Sequence, residues 1–223
     1  MVARAWMNRY GVTAEDLGRV AIRQREYASH SPRAMMRTPI TMDDYLMSRW
    51  IVEPFRLFDC CLETDAAVAL VVTSADRARD LRQVPALVSG AVWGSGHTLI
   101  SNGRGDLTLS AAARMAPRLW AMADAAPADV EVACLYDAFT PLVLQQLEDY
   151  GFCAKGDAAA FYAGTQLPIN THGGHLSEGY VHGLNHAAEA VQRVRAGAAL
   201  ALSTGQPGYV AGNTSAVVLR RAA

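Results

Sequence analysis

No apolar run in the 223-residue chain approaches the about 20 residues needed to span a bilayer. The opening MVARAWMNRYGV also lacks the long apolar core of a signal peptide. No membrane association is therefore expected, and the default location is cytoplasmic. An excess of charge of one sign is lacking as well. Twenty basic residues against twenty-one acidic ones leave a net charge of -1, so no overall field recruits nucleic acid or an anionic surface. Cysteine is sparse. Cys60, Cys61, Cys134 and Cys153 show no CxxC spacing, and the adjacent pair can hardly ligate one ion. A zinc site and a disulfide framework are both disfavoured, and buried thiols with no identifiable activating neighbour are expected instead. Low-complexity tracts and short repeats are absent too.

What is present is ordinary globular material, 51% hydrophobic and 18% charged. ThrAlaGluAsp at 13–16 suits a helix start, and Leu17, Val20 and Ala21 begin a helical face that runs through Arg25 and stops before Pro32. Residues 29–54, with three prolines, read as loop with one helical turn. The valine-rich run AAVALVVT at 66–73 reads as a strand buried on both faces, followed by a serine-capped helix. A strand at 86–92, a Gly and Ser loop through Gly105, a helix at 110–123, a strand at 129–136 and a helix at 141–150 follow. The pattern closes with a helix at 183–195 and strands at 198–202 and 215–220. Alternating strands and helices imply an α/β fold with a mixed sheet. The composition shifts near Arg82–Pro85, which divides the chain into 1–82 and 83–223.

Two segments concentrate polar groups that a core would not choose. At TyrAspAlaPheThr (136–140) a strand runs into a polar turn and a helix, the place where open α/β sheets collect ligands. The plain alternative is that Asp137 or Thr140 caps the helix and Tyr136 is an amphipathic wall residue. The second segment, 170–186, packs four of the six histidines and four glycines into seventeen positions. Glycines let a backbone approach a substrate closely, and a tyrosine or histidine on such a loop can exchange a proton with a reacting oxygen. Metal binding by His172, His175, His182 and His186 is the competing reading. It is disfavoured because the first two lie in a glycine loop and no acidic ligand is clearly placed.

These segments, with two others, resemble the thiolase superfamily. AspAlaAlaValAlaLeuValVal (65–72) resembles the DGAAALVL strand of thiolases, and TyrAspAlaPhe resembles their NEAF or HDCF motif. GGHLSEGYVHG (173–183) resembles GGxxxxGHPxGxTG. SerThrGlyGlnProGly (203–208) followed by SerAlaValValLeuArgArg resembles the CxGGG turn and final strand. The order is right and the match covers nearly the whole chain. It is nearest the thiolase-like lipid-transfer proteins, which include acyl-CoA retro-aldolases of steroid side-chain breakdown.

The resemblance implies a thiolase-like fold of mixed sheets with layered helices, lacking the first part of the amino-terminal domain. Residues 1–82 would end that domain with its loop, and 83–223 would form the carboxyl-terminal one. It also marks departures. The nucleophilic cysteine of thiolases lies in a segment before this chain begins, Tyr180 stands at the histidine of GHP, and Ser203 or Thr204 stands at the cysteine of the CxG turn. Thiolysis needs a thiolate and a base that generates it. Retro-aldol cleavage of a β-hydroxyacyl-CoA needs only a base for the hydroxyl proton and donors for the enolate. The expected catalytic residues are therefore Tyr180, Tyr136, His182 and His175. Asp137, Phe139, Gly173, Gly174, Gly179, Gly183, Ser203 and Gly205 are the expected substrate contacts. No metal and no bound cofactor is expected, with coenzyme A entering as part of the substrate. A homodimer and a small OB-fold partner are implied by resemblance. The rival readings are a non-catalytic lipid or acyl-CoA carrier, and a true thiolase half completed by another chain.

Overall fold

The structure, a computed structural model, describes residues 1–95, 106–208 and 212–222. Helix α1 (Val2–Tyr10) leads into α2 (Ala14–Ser29), which starts where the sequence places its cap. The Asp16 N–H donates to the Thr13 hydroxyl and the Thr13 N–H to the Asp16 carboxylate, a reciprocal box that satisfies two otherwise free helix-end donors. Helix α3 (Met42–Met47) begins with the same device at Thr41 and Asp44. The stretch expected to be loop also holds a hairpin of β1 (Trp50–Val52) and β2 (Phe55–Arg56).

One element differs from expectation. Residues 66–73 form no strand, and Val71 and Val72 are 91% and 88% exposed. A β-strand exists only through its ladder, and no described strand lies beside this run, so its valines have nothing to pair with or pack against. The short helix after it, α4 (Ala75–Arg79), is capped by the Ser74 hydroxyl as expected.

The main sheet is mixed, in the order β3 (Ala86–Ser95), β6 (Asn213–Arg221), β5 (Leu200–Thr204), β4 (Val132–Cys134). The β3–β6 and β6–β5 pairs are antiparallel and β5–β4 is parallel. The glycine and serine loop expected after β3 lies outside the described residues. Helix α5 (Ala111–Ala123) covers one face, so closely that a Cβ on Gly90 would stand 2.9 Å from the Leu119 carbonyl. Helix α9 (Leu184–Ala196) covers the other, where Ala190 and Val194 pack on Val132, Cys134, Ala201 and Leu219. Layered helices on a mixed sheet are the expected architecture.

Helix α6 (Thr140–Asp149) follows β4, and α7 (Ala158–Gly164) and a single turn α8 (Gly174–Ser177) lie between α6 and α9. Trp6, Leu17, Val20 and Tyr45 share one hydrophobic core with Leu119, Leu144, Leu202 and Val218. Burying such side chains contributes about 1.5–3 kcal/mol each. The expected boundary at Arg82–Pro85 falls in the turn between α4 and β3, while this core is continuous across it.

Candidate active site

Strand β4 stops two residues short of its expected end because a side chain replaces its neighbour. Asn170, in the left-handed region at φ 52, accepts from the Leu135 N–H at 2.7 Å and donates to the Leu135 carbonyl at 2.8 Å. Asparagine tolerates this conformation better than most residues. The chain then turns out of the sheet with Tyr136 fixed at both backbone groups. Its N–H donates to the Thr204 hydroxyl at 2.9 Å, and its carbonyl accepts from Gln146 Nε2 at 2.6 Å. Thr204 in turn donates to Gln146 Oε1 at 2.6 Å, which closes a buried ring of three residues from β5, α6 and the β4 end.

Asp137 lies beneath the site, fully buried. Its carboxylate accepts from the His175 N–H at 2.9 Å and the Leu176 N–H at 3.4 Å, the start of α8. His186 Nε2 is 2.9 Å and His175 Nδ1 3.2 Å from Oδ1. Burial by itself would raise this carboxyl, but the two histidines and the backbone donors outweigh it and hold it below the ordinary range. Asp137 is thus the post on which the 170–186 segment is hung. Gly174, at φ 62, makes the approach possible, since a Cβ there would overlap the carboxylate. Asp137, His175 and His186 also place one ligand atom each within 4.8 Å of one another, the spacing a metal ion would use. The same distances are those of hydrogen bonds, and the carboxylate's further bonds go to backbone N–H groups.

The glycine-rich segment brings three of the four expected catalytic side chains into one chain of hydrogen bonds. The Tyr136 and Tyr180 hydroxyls are 2.7 Å apart, and the Tyr180 hydroxyl is 2.6 Å from His182 Nδ1. Tyr136 is nearly buried, Tyr180 half-buried and His182 exposed, so the chain runs outward from the sheet. Burial first, and then the bond to Tyr180, push the Tyr136 phenol far above its ordinary value. His175, the fourth, packs edge-on against both tyrosine rings at 4.8 Å but has no exposed surface. Its Nε2 is 3.0 Å from the Gly183 N–H and 3.1 Å from Asn185 Oδ1, and burial lowers its pKa to about 3. A neutral ring that accepts from Gly183 positions the loop; no free nitrogen faces the cleft.

Other expected contacts divide in the same way. Phe139 is half-buried beside Tyr136, its ring stacked on Phe55 at 5.0 Å. Gly183 and Gly205 face Tyr136 and Ser215. Gly179 passes Thr64, and Gly173 lies against Ala28 on the far side of the loop. Ser203 is buried within β5 opposite Cys134, on the Ala201 face toward α9, and Thr204 is the hydroxyl that reaches Tyr136. Sequence reasoning missed Gln146, Asn170 and Asn185. Asn185 holds the loop by donating to Glu178 and to the Gly179 carbonyl. No cysteine offers a ready thiolate. Burial, and then the Asp137 charge, push Cys61 up to about 11; burial pushes Cys153 up to about 12 and raises Cys60 and Cys134.

With this geometry in hand, the chain can be set beside known proteins. The family described as thiolase C-terminal domain-like matches residues 93–220. A steroid side-chain-cleaving aldolase of Thermomonospora curvata is 48% identical over 221 residues, 94% of this chain and 55% of the relative. The 17-hydroxy-3-oxo-4-pregnene-20-carboxyl-CoA lyase of Mycobacterium tuberculosis is 48% identical over 206 residues, 87% of this chain and 53% of the relative. Among solved structures, an Ltp2-ChsH2(DUF35) aldolase superposes with a TM-score of 0.94 at 44% identity, covering 99% of this chain and 62% of that one. The chain spans about half the length of the curated relatives it matches.

Proposed function

The chain belongs to the thiolase C-terminal domain-like family, and from that premise we propose that its site performs retro-aldol cleavage of a β-hydroxyacyl-CoA, a carbon-carbon lyase reaction rather than thiolysis. The observation that carries this reading is the hydrogen-bonded chain Tyr136–Tyr180–His182, standing where a thiolase would place a histidine base. With Tyr180 donating to His182 Nδ1, its oxygen is left to accept from Tyr136. The substrate hydroxyl gives its proton to the Tyr180 oxygen as the Tyr180 proton moves to His182. The bond between the α and β carbons breaks, the carbinol carbon becomes a ketone, and the electron pair passes into the thioester enolate. The stored proton then returns through Tyr180 to the α carbon, so the cycle neither gains nor loses one.

Tyr136 supports the step by keeping its own proton. Its raised phenol makes it a poor base but a lasting donor, and a bond to the Tyr180 oxygen stabilises the charge that develops there. General acid–base groups of this kind contribute about 10²- to 10⁴-fold. The names of the relatives, an aldolase and a CoA lyase at 48% identity, support a steroid or other lipid acyl group. The reading includes a homodimer and a small OB-fold partner, the latter supported by a solved relative whose description joins Ltp2 to ChsH2(DUF35).

Incubating the protein, with any partner that co-purifies, with a steroid-ring β-hydroxyacyl-CoA tests it. Release of a ring ketone and a shortened acyl-CoA in equal amounts is expected. Thiolysis of acetoacetyl-CoA with no ketone from the β-hydroxy substrate would overturn it.

A further inference from the structure

The hairpin that sequence reasoning left as loop lies against the site and carries an apolar surface that the rest of the fold does not use. Trp50, Ile51, Val52, Leu57 and the neighbouring Met47 are all exposed. Contiguous exposed apolar surface of this kind marks a binding face. The hairpin is joined to the tyrosines through Phe139. The Phe139 backbone bridges to Cys60, its ring stacks on Phe55 at 5.0 Å and 8°, and it packs on the cluster of Tyr136, Leu142 and Tyr180. Tyr136 and Phe139 are three residues apart, a span of at most about 10 Å.

The surface is also held in place. The Arg56 guanidinium sits 3.9 Å over the Trp50 ring and donates to the Ser48 carbonyl at 3.0 Å. The buried Asp59 carboxylate accepts from the Arg56 N–H at 2.7 Å and from the Tyr45 hydroxyl at 2.8 Å. A wall fixed in this way loses little freedom when a ligand lies on it.

We infer that the β1–β2 hairpin is the acyl wall of the site, with Trp50, Phe55 and Phe139 receiving the ring system of a polycyclic acyl group. The inference rests on the retro-aldol reading for its substrate class. In that chemistry the carbinol carbon carries the larger acyl substituent, and its oxygen stands at Tyr180. The substituent must then leave the tyrosines along an apolar surface, and the surface continuous with them is Phe139, Phe55 and the hairpin edge. Trp50 and Phe55 are specificity-determining residues and take no part in proton transfer.

Equilibrium binding of a steroid-ring acyl-CoA and of butyryl-CoA to the complete protein tests this without relying on turnover. Trp50→Ala is expected to lower the affinity ratio of the ring substrate over butyryl-CoA about tenfold, and Phe55→Leu to lower it by a smaller factor. Trp50 is 51% exposed, so its loss leaves the fold intact. A ratio unchanged in both variants would overturn the inference. So would loss of a co-purifying protein with the ratio intact, because the hairpin would then face a partner. Ring selectivity that depends on the hairpin in a protein that cleaves nothing would sink only the retro-aldol reading.

Discussion

His175 was expected to be catalytic, and the structure gives it a different task. Burial lowers its pKa from 6.5 to about 3, and His172 shifts in the same direction from full burial. Both rings stay neutral in the folded protein where the unfolded chain would protonate them, so the unfolded state binds more protons below the ordinary value. Stability is complete above pH 6.5 and is lost as the pH falls from there toward 3. Between pH 7.5 and 5.5 each ring costs about 1.4 kcal/mol, or about 3 kcal/mol for the pair. Asp59, Glu148 and Glu178 are raised by burial and act with the opposite sign at lower pH, so the upper window isolates the histidines. Urea denaturation at the two pH values should show the loss. Equal stability at both would mean that the rings are not held neutral.

At the scale of elements, the site depends on how β4 ends. Asn170→Ala removes the partner of both Leu135 backbone groups, which stay buried beside Tyr136. Each unsatisfied group costs about 1–3 kcal/mol, so thermal unfolding should show a loss of about 2–4 kcal/mol. Asn170→Asp keeps the acceptor and should lose about half as much; equal stability of all three proteins would contradict the strand-like pairing. This pairing also explains which boundaries were legible. Helices α2, α5, α6 and α9 follow apolar periodicity and capping residues, and appear within about two residues of their expected limits. The end of β4 did not, because its last ladder partner is a side chain 35 positions away. Residues 66–73 carry the composition of a buried strand, but composition cannot supply a neighbour. The β1–β2 hairpin is too short to show a period at all.

For the molecule as a whole, the order of four motifs was enough to predict a mixed sheet between helices and to bring Tyr136, Tyr180 and His182 into one locality. Their hydrogen-bond order was not legible, because it depends on side chains that share no spacing. Thr204 and Gln146 fix Tyr136, and Asp137, Asn185 and His175 hang the loop that carries Tyr180. Choosing between Ser203 and Thr204 required knowing which face of β5 turns toward α6. The claim that joins these observations is that Tyr180, backed by Tyr136 and His182, moves the proton in carbon-carbon cleavage. Its most direct test is kcat/KM for a steroid-ring β-hydroxyacyl-CoA in Tyr180→Phe and Tyr136→Phe, each with binding of the substrate measured separately. A loss of about 10²-fold or more in Tyr180→Phe and a smaller loss in Tyr136→Phe, with affinity retained in both, is predicted. Cleavage at the wild-type rate in both variants would contradict it.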